Sequence, residues 1–196
     1  MKSRVVLLLL TCLLSPCAQA SDNVDTIPSP FSEGISARPP DARVEGIFRD
    51  VAGRTNIVWA RPPIVCLVAT TPIGPSPMTF SYRDRQWPEG QRAFVMLLTN
   101  SVLHYTELEF TGLFAHGFAY LLQDGIKPTT REGVIAQHIA QDNAAAGWVG
   151  CEPVLAAIDA AIRVLIPLSR AESRDFYSEQ MERRANNIRR SFSQCK

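Results

Sequence analysis

The chain of 196 residues has 20 lysine and arginine residues against 19 aspartate and glutamate residues, and 46% of its residues are hydrophobic. This balance of charge excludes the strongly basic surface by which proteins bind nucleic acid or anionic membranes. The apolar fraction is that of an ordinary globular protein with its own core.

The N-terminus has the pattern of an export signal. Lys2 and Arg4 precede an apolar run over residues 5–14, and Ala-Gln-Ala at 18–20 is the small-residue pattern that signal peptidase recognises. We therefore expect residues 1–20 to be a signal peptide and the mature protein to be periplasmic or secreted. The apolar run is too short to cross a bilayer, and no later stretch approaches the roughly 20 apolar residues needed, so no transmembrane segment is predicted.

The mature chain is expected to start with a tether and continue as one domain. Residues 21–40 are rich in proline and serine and have no periodic apolar face, which predicts an extended Pro-rich segment. From Asp41 onward, apolar residues recur at helical spacing as far as Gly53, which predicts a short amphipathic helix. The domain itself is expected over residues 41–196.

Short apolar runs then predict a small mixed sheet of three or four strands. They are rich in valine and isoleucine or alternate in polarity, as strands do. The predicted strands cover residues 57–60, 64–70, 78–84 and 94–98.

Four helices are predicted after the sheet. Thr106 with Glu109 is a capping box for a helix that ends at Gly125, and Thr129 with Glu132 is a capping box for the next, which runs to about residue 146. The last two are predicted over residues 153–165 and 178–192.

The mature chain keeps an odd number of cysteines, which permits at most one internal disulfide. Cys66 lies in an apolar run typical of a buried thiol, so Cys151 and Cys195 are the predicted pair.

Two histidines fall on the first two of these helices. A zinc peptidase helix reads His-Glu-x-x-His, in which two histidines on one helix face bind zinc and the glutamate is the general base. Here His116 occupies the first position, Gly117 stands at the base and Tyr120 stands at the second ligand. On the next helix, His138 and Asp142 are also four residues apart and share a face.

The ordered series resembles the HtpX-like and CAAX prenyl-protease zinc metallopeptidases over residues 44–192. It runs from Glu107-Leu108-Glu109 through Leu113-Phe114-Ala115-His116 to the segments 138–142, 147–157 and 178–188. The resemblance implies an α+β, zincin-like single domain, with a small mixed sheet, an N-terminal helix and four following helices.

Compared with that family, the site lacks most of the residues that bind zinc and activate water. His116 matches the first zinc ligand, His138 stands at the ligand glutamate, and Asp142 matches an aspartate that positions a ligand. Tyr120 replaces the second histidine, and Gly117 replaces the base. The metal set that could be rebuilt is His116, Tyr120 and His138, but a chain without zinc is favoured, because one surviving ligand gives little affinity.

The sequence thus favours an exported pseudopeptidase, a catalytically inactive module that binds a polypeptide or envelope protein partner, for example along a sheet edge. The alternative is an active zinc-dependent peptidase with substituted ligands and a base borrowed from Glu109 or Asp142. An envelope protein unrelated to peptidases is a third interpretation. Nucleic acid is not expected as a partner.

Overall fold

The computed structural model describes residues 40–55, 64–71, 78–82, 92–99, 102–120, 128–168 and 170–195. Its elements follow in the order α1 (Ala42–Arg54), β1 (Ile64–Thr71), β2 (Met78–Tyr82), β3 (Arg92–Thr99), α2 (Glu107–Tyr120), α3 (Arg131–Val149), α4 (Cys151–Leu168) and α5 (Ala171–Ser191). A 3-10 turn, Ser193–Cys195, follows α5. The expected signal peptide, nearly all of the tether and the strand at 57–60 lie outside the described residues.

Local capping fixes where the first helices begin. The Asp41 carboxylate accepts a hydrogen bond from the Val44 amide at 2.8 Å, as an N-cap residue does. At the start of α2, Glu109 accepts from the Thr106 amide at 2.7 Å, and its own amide donates to the Thr106 hydroxyl at 3.3 Å. This is the capping box predicted from the sequence.

The later helices depart from the predicted bounds. The N-cap of α3 is Thr130, not Thr129, and its hydroxyl accepts from the Gly133 amide. Gly150, at a φ of 86°, separates α3 from α4, and glycine adopts this conformation without strain. α4 begins at Cys151 rather than at residue 153, and α5 begins at Ala171 rather than at residue 178.

Aromatic side chains join α1 to α2 at the centre of the domain. The Phe48 ring lies 5.2 Å from that of Phe114 and 5.1 Å from that of Phe118, and Phe110 stacks on Phe114 at 5.4 Å. All four rings are buried, and burial of each contributes about 1.5–3 kcal/mol. α2 also packs against α3 and α4, so it is the central helix of the domain.

The prediction of an α+β, zincin-like domain built on a small mixed sheet is wrong. The three strands pair in the order β1-β3-β2, with β1 parallel and β2 antiparallel to β3. They contact one another much more than they contact the helices, and the described core comes almost wholly from the five helices. Met96 and Leu98 of β3 reach that core, but the layers that enclose it are helices, so the fold is helical.

A disulfide joins Cys151, the first residue of α4, to Cys195 after α5. It is the pair predicted from the sequence, and it holds the end of α5 against the start of α4. None of the helices within the described ranges is long and apolar enough to cross a membrane.

Candidate functional site

Three helices bring together four polar side chains, which we call the His-Asp-Arg cluster. His116 comes from α2, His138 and Asp142 come from successive turns of α3, and Arg184 comes from α5. Asp142 is 1% exposed and Arg184 is 8% exposed. A carboxylate and a guanidinium at this depth require partners, because burial of an unpaired charge is very costly.

Asp142 is the centre of the cluster. Its Oδ2 accepts a hydrogen bond from Nε of Arg184 at 2.7 Å, and its Oδ1 accepts from Nη2 of Arg184 at 2.9 Å. Nδ1 of His116 lies 2.7 Å from the same Oδ1. The carboxylate therefore binds Arg184 in the two-point geometry typical of arginine and also orients one imidazole.

The hydrogen bonds fix the tautomers of both histidines. Because ionised Asp142 can only accept, Nδ1 of His116 carries its hydrogen and Nε2 is left as an acceptor. Nδ1 of His138 lies 3.2 Å from that Nε2 and donates to it. The two ring planes lie 10° from parallel, with the ring centroids 5.3 Å apart. Asp142, His116 and His138 thus form a continuous relay.

The electrostatics of the cluster keep both imidazoles neutral. Burial lowers the pKa of His138 to about 3, with further lowering by His116 and Arg184. Burial and Arg184 also lower the pKa of His116, against the opposing effect of Asp142. Burial alone would raise the pKa of Asp142, but Arg184 and His116 hold it well below its ordinary value. The cluster accordingly carries one negative and one positive charge, which cancel.

The cluster forms one wall of a cavity of about 230 Å³ between α2, α3, α4 and α5. The remaining walls are largely apolar. The lining residues are Met96, Tyr105, Gly112, Leu113, His116, Gly117, His138, Asp142, Val154, Ala157, Ala161, Tyr177, Gln180, Met181 and Arg184. Leu113 and Tyr177 are half-buried members of this lining.

The structure brings His116, His138 and Asp142 together at the cavity. Gly117 lines the cavity beside His116, at the position where a peptidase of the resembled class has its base. Tyr120 is the last residue of α2 and is not among the described residues that line the cavity. The predicted ligand set of His116, Tyr120 and His138 therefore does not share one cavity.

Glu109, the other proposed source of a base, has a structural role. Its carboxylate accepts from Nη2 of Arg163 at 2.8 Å as well as from the Thr106 amide. Burial raises its pKa, but these hydrogen bonds outweigh burial and the net pKa is lowered. Glu109 does not line the cavity, so it is not placed to take a proton there.

The donor set is incomplete for zinc. Nε2 of His116 and Nδ1 of His138 are 3.2 Å apart, near the roughly 3.3 Å between two nitrogen ligands of a tetrahedral zinc ion. Among the described residues, however, no group of three His, Cys, Asp or Glu side chains converges on one point. Both oxygens of Asp142 already face Arg184 and His116. Among the described His, Cys, Asp and Glu side chains, only these two imidazole nitrogens lie at a separation that suits zinc, one fewer than the three protein ligands of a catalytic site.

Three residues of the site were not predicted from the sequence. Arg184 sits in an arginine-rich segment that has the pattern of a solvated helix face, yet it is buried against Asp142. Tyr105 and Gln180 line the cavity and are each 3% exposed. The spacing of Met181, Ala185 and Ile188 marks the inward face of α5. Arg184 and Gln180 flank that face, and this position is the one local signal that could have identified these two residues.

Comparison with protein-family models, curated proteins and solved structures gives no match for this chain. The resemblance to zinc metallopeptidases therefore remains a prediction.

Proposed function

We propose that this protein is an exported, metallopeptidase-like pseudopeptidase, whose helical domain binds polypeptide at the cavity without hydrolysing it. The observation that carries the proposal is Gly117, which lines the cavity beside His116 where a general base would be needed. Glycine has no side chain to accept a proton from an attacking water. The cavity, rather than a sheet edge, is the binding site, because the described core is helical.

The other groups around the cavity make poor substitutes for that base. A general base works best when its pKa is near the operating pH. The pKa of His138 is about 3, and the pKa of Asp142 is held well below its ordinary value by Arg184 and His116. Both oxygens of Asp142 already accept hydrogen bonds, so this carboxylate would have to give one up to take a proton.

Binding of a polypeptide is supported by the mixed lining of the cavity. Apolar side chains from three helices surround a small set of convergent polar groups, the usual composition of a ligand site. The cluster beneath it is internally paired, so it can hold its shape with the cavity either filled or empty.

The test measures binding and cleavage on the same sample. The mature chain, residues 21–196, is titrated into fluorescently labelled, reduced and carboxymethylated lactalbumin, and the mixture is then examined by mass spectrometry for new peptides. We expect saturable binding and no cleavage. Ala161→Phe, which places a ring in the cavity, should weaken binding, whereas Ala136→Phe at an exposed position of α3 should not.

Metal content separates this proposal from an active zinc-dependent peptidase with substituted ligands. A zinc content near one ion per chain that is lost in the double variant His116→Ala/His138→Ala, together with zinc-dependent cleavage, would overturn the proposal of a pseudopeptidase. Equal binding by the wild type and Ala161→Phe would remove the cavity as the binding site.

A further inference from the structure

Two buried polar groups on the cavity wall have no partner for hydrogen bonding within the described part of the chain. Gln180 is 3% exposed, and no described residue donates a hydrogen bond to its carboxamide or accepts one from it. The same holds for the hydroxyl of Tyr105, which is also on a residue 3% exposed. Native proteins nearly always pair such groups, because an unpaired one keeps the full penalty of leaving water.

These two groups together have the chemistry that a peptide unit requires. A carboxamide offers both a donor and an acceptor, and a tyrosine hydroxyl can do either. A peptide unit has one N–H and one C=O that must both be satisfied when it is buried. A ligand with an amide could therefore pair with Gln180 in both directions at once.

The charge of the cavity selects against ionic ligands. Asp142 and Arg184 neutralise each other through two hydrogen bonds, and both histidines are neutral. A carboxylate or ammonium group entering this space would lose its hydration without meeting a free counter-charge. Arg163 and Glu109 act electrostatically on Tyr105, but they are bound to each other and neither lines the cavity.

The size and the remaining walls fit one apolar side chain with the peptide unit attached to it. A volume of about 230 Å³ is below that of most drug-sized ligand sites. Leu113, Val154 and Met181 supply apolar surface, and methionine adapts its shape to what it contacts.

We infer that the cavity captures an uncharged, apolar residue from the interior of a polypeptide, with Gln180 and Tyr105 binding its peptide unit, rather than a charged chain end or a charged side chain. This inference rests on the proposed function and names the part of the polypeptide that the site selects.

The experiment uses small probes that differ only in charge. N-acetyl-leucinamide is neutral, N-acetyl-leucine carries a carboxylate and leucinamide carries an ammonium group. Binding to the mature chain is followed by NMR titration. We expect the neutral probe to bind saturably and to compete with the unfolded lactalbumin, and each charged probe to bind at least about tenfold more weakly. Equal affinity of the three probes would overturn the inference.

Gln180→Met, of similar size and without polar hydrogen-bonding groups, tests the role of the carboxamide. Removal of an unpartnered buried group should raise the melting temperature of the free protein. It should also weaken binding of the neutral probe about tenfold. Gln194→Met, at an exposed position in the 3-10 turn, should change neither. A lower melting temperature with unchanged affinity in Gln180→Met would show a structural role and contradict the inference.

The outcomes distinguish the two proposals. If lactalbumin binds but the neutral probe neither binds nor competes, the selection of an internal apolar residue is wrong and polypeptide binding stands. If the neutral probe binds and lactalbumin does not, polypeptide binding is wrong and the cavity is a site for small amides.

Discussion

Oδ1 of Asp142 accepts hydrogen bonds from both His116 and Arg184, so one carboxylate oxygen ties α3 to α2 and to α5. The distances are 2.7 Å to Nδ1 of His116 and 2.9 Å to Nη2 of Arg184. One buried carboxylate therefore makes polar contacts with both the preceding helix and the last helix of the domain. The orientation of His116, and through it that of His138, follows from this contact.

Asp142→Asn should be strongly destabilising. The substitution keeps the size of the side chain but leaves the Arg184 guanidinium buried without a counter-charge, which costs about 3–5 kcal/mol. Urea unfolding followed by circular dichroism measures the change. Asp159→Asn, at an exposed position of α4, is the matched control and should lie within about 0.5 kcal/mol of wild type. Similar losses in both variants would mean that the buried pair does not form.

Gly112→Ala should disrupt the contact between α2 and α4. A Cβ atom at this position would meet the Pro153 carbonyl group and the Ala157 methyl group well inside contact distance. Because the carbonyl belongs to the backbone, the helices would have to separate, and we expect a loss of about 1–3 kcal/mol or more.

Gly147→Ala provides the opposite expectation on α3. A Cβ there meets nothing within 4 Å, so the better helix propensity of alanine should add about 0.5–1 kcal/mol. Thermal melts of the two alanine variants should shift in opposite directions, and shifts of the same sign would contradict the packing of α2 on α4.

Stability should fall as the solution is acidified below about pH 6.5. The pKa of His138 in the folded protein is about 3, whereas an exposed histidine in the unfolded chain titrates near 6.5. The unfolded state therefore takes up the proton first, and the stability from this group, complete above about pH 6.5, is lost as the pH falls. The pKa of His116 is lowered in the same sense, so each histidine contributes a slope of up to ~1.4 kcal/mol per pH unit.

His138→Gln should reduce that slope between about pH 6.5 and pH 4.5. The carboxylates with lowered pKa, among them Asp142 and Glu109, act below this window, since they titrate near 4 in the unfolded chain. The free energy of unfolding, measured in urea at several pH values within this window, therefore reports the contribution of the histidines separately from that of the carboxylates. A profile that stays flat across the window in the wild type would refute the burial of both rings.

Removal of the disulfide should loosen the end of α5. The bond joins residues 44 apart in sequence, and the chain-entropy relation gives a stabilisation of about 4 kcal/mol for a loop of that size. Cys151→Ala/Cys195→Ala should lower the melting temperature under oxidising conditions, and excess reductant should bring the wild type close to the variant. An unaltered wild-type melt in reductant, with the thiols shown to be free, would contradict this.

Signals confined to a few neighbouring residues predicted the structure well. Asp41 caps α1 and Thr106 with Glu109 caps α2, because these contacts are made within one helical turn. The error at α3 was a choice between adjacent threonines. α5 began earlier than predicted because residues 171–175 are mostly exposed and polar, so its apolar stripe starts two turns into the helix.

Features that depend on contacts between residues distant in sequence could not be predicted from local patterns. The patterns at 64–70 and 94–98 predict strands but do not show how much of the core those strands would supply, and the helices supply most of it. Arg184 has the sequence context of a surface arginine, and only the position of Asp142, 42 residues earlier, accounts for its burial. His116 and Tyr120 share a spacing of four, yet only His116 reaches the cavity.

The bond between Arg184 and Asp142 also sets an order of events during synthesis. A ribosome makes α2 and α3 before α5, so the carboxylate exists for a time without the guanidinium that neutralises it. During that interval α3 cannot bury Asp142 beside His116 without a large penalty, and the cavity has no fourth wall. The final arrangement of the first helices is therefore delayed until the last helix has been made. Until then the nascent chain is accessible to chaperones and proteases.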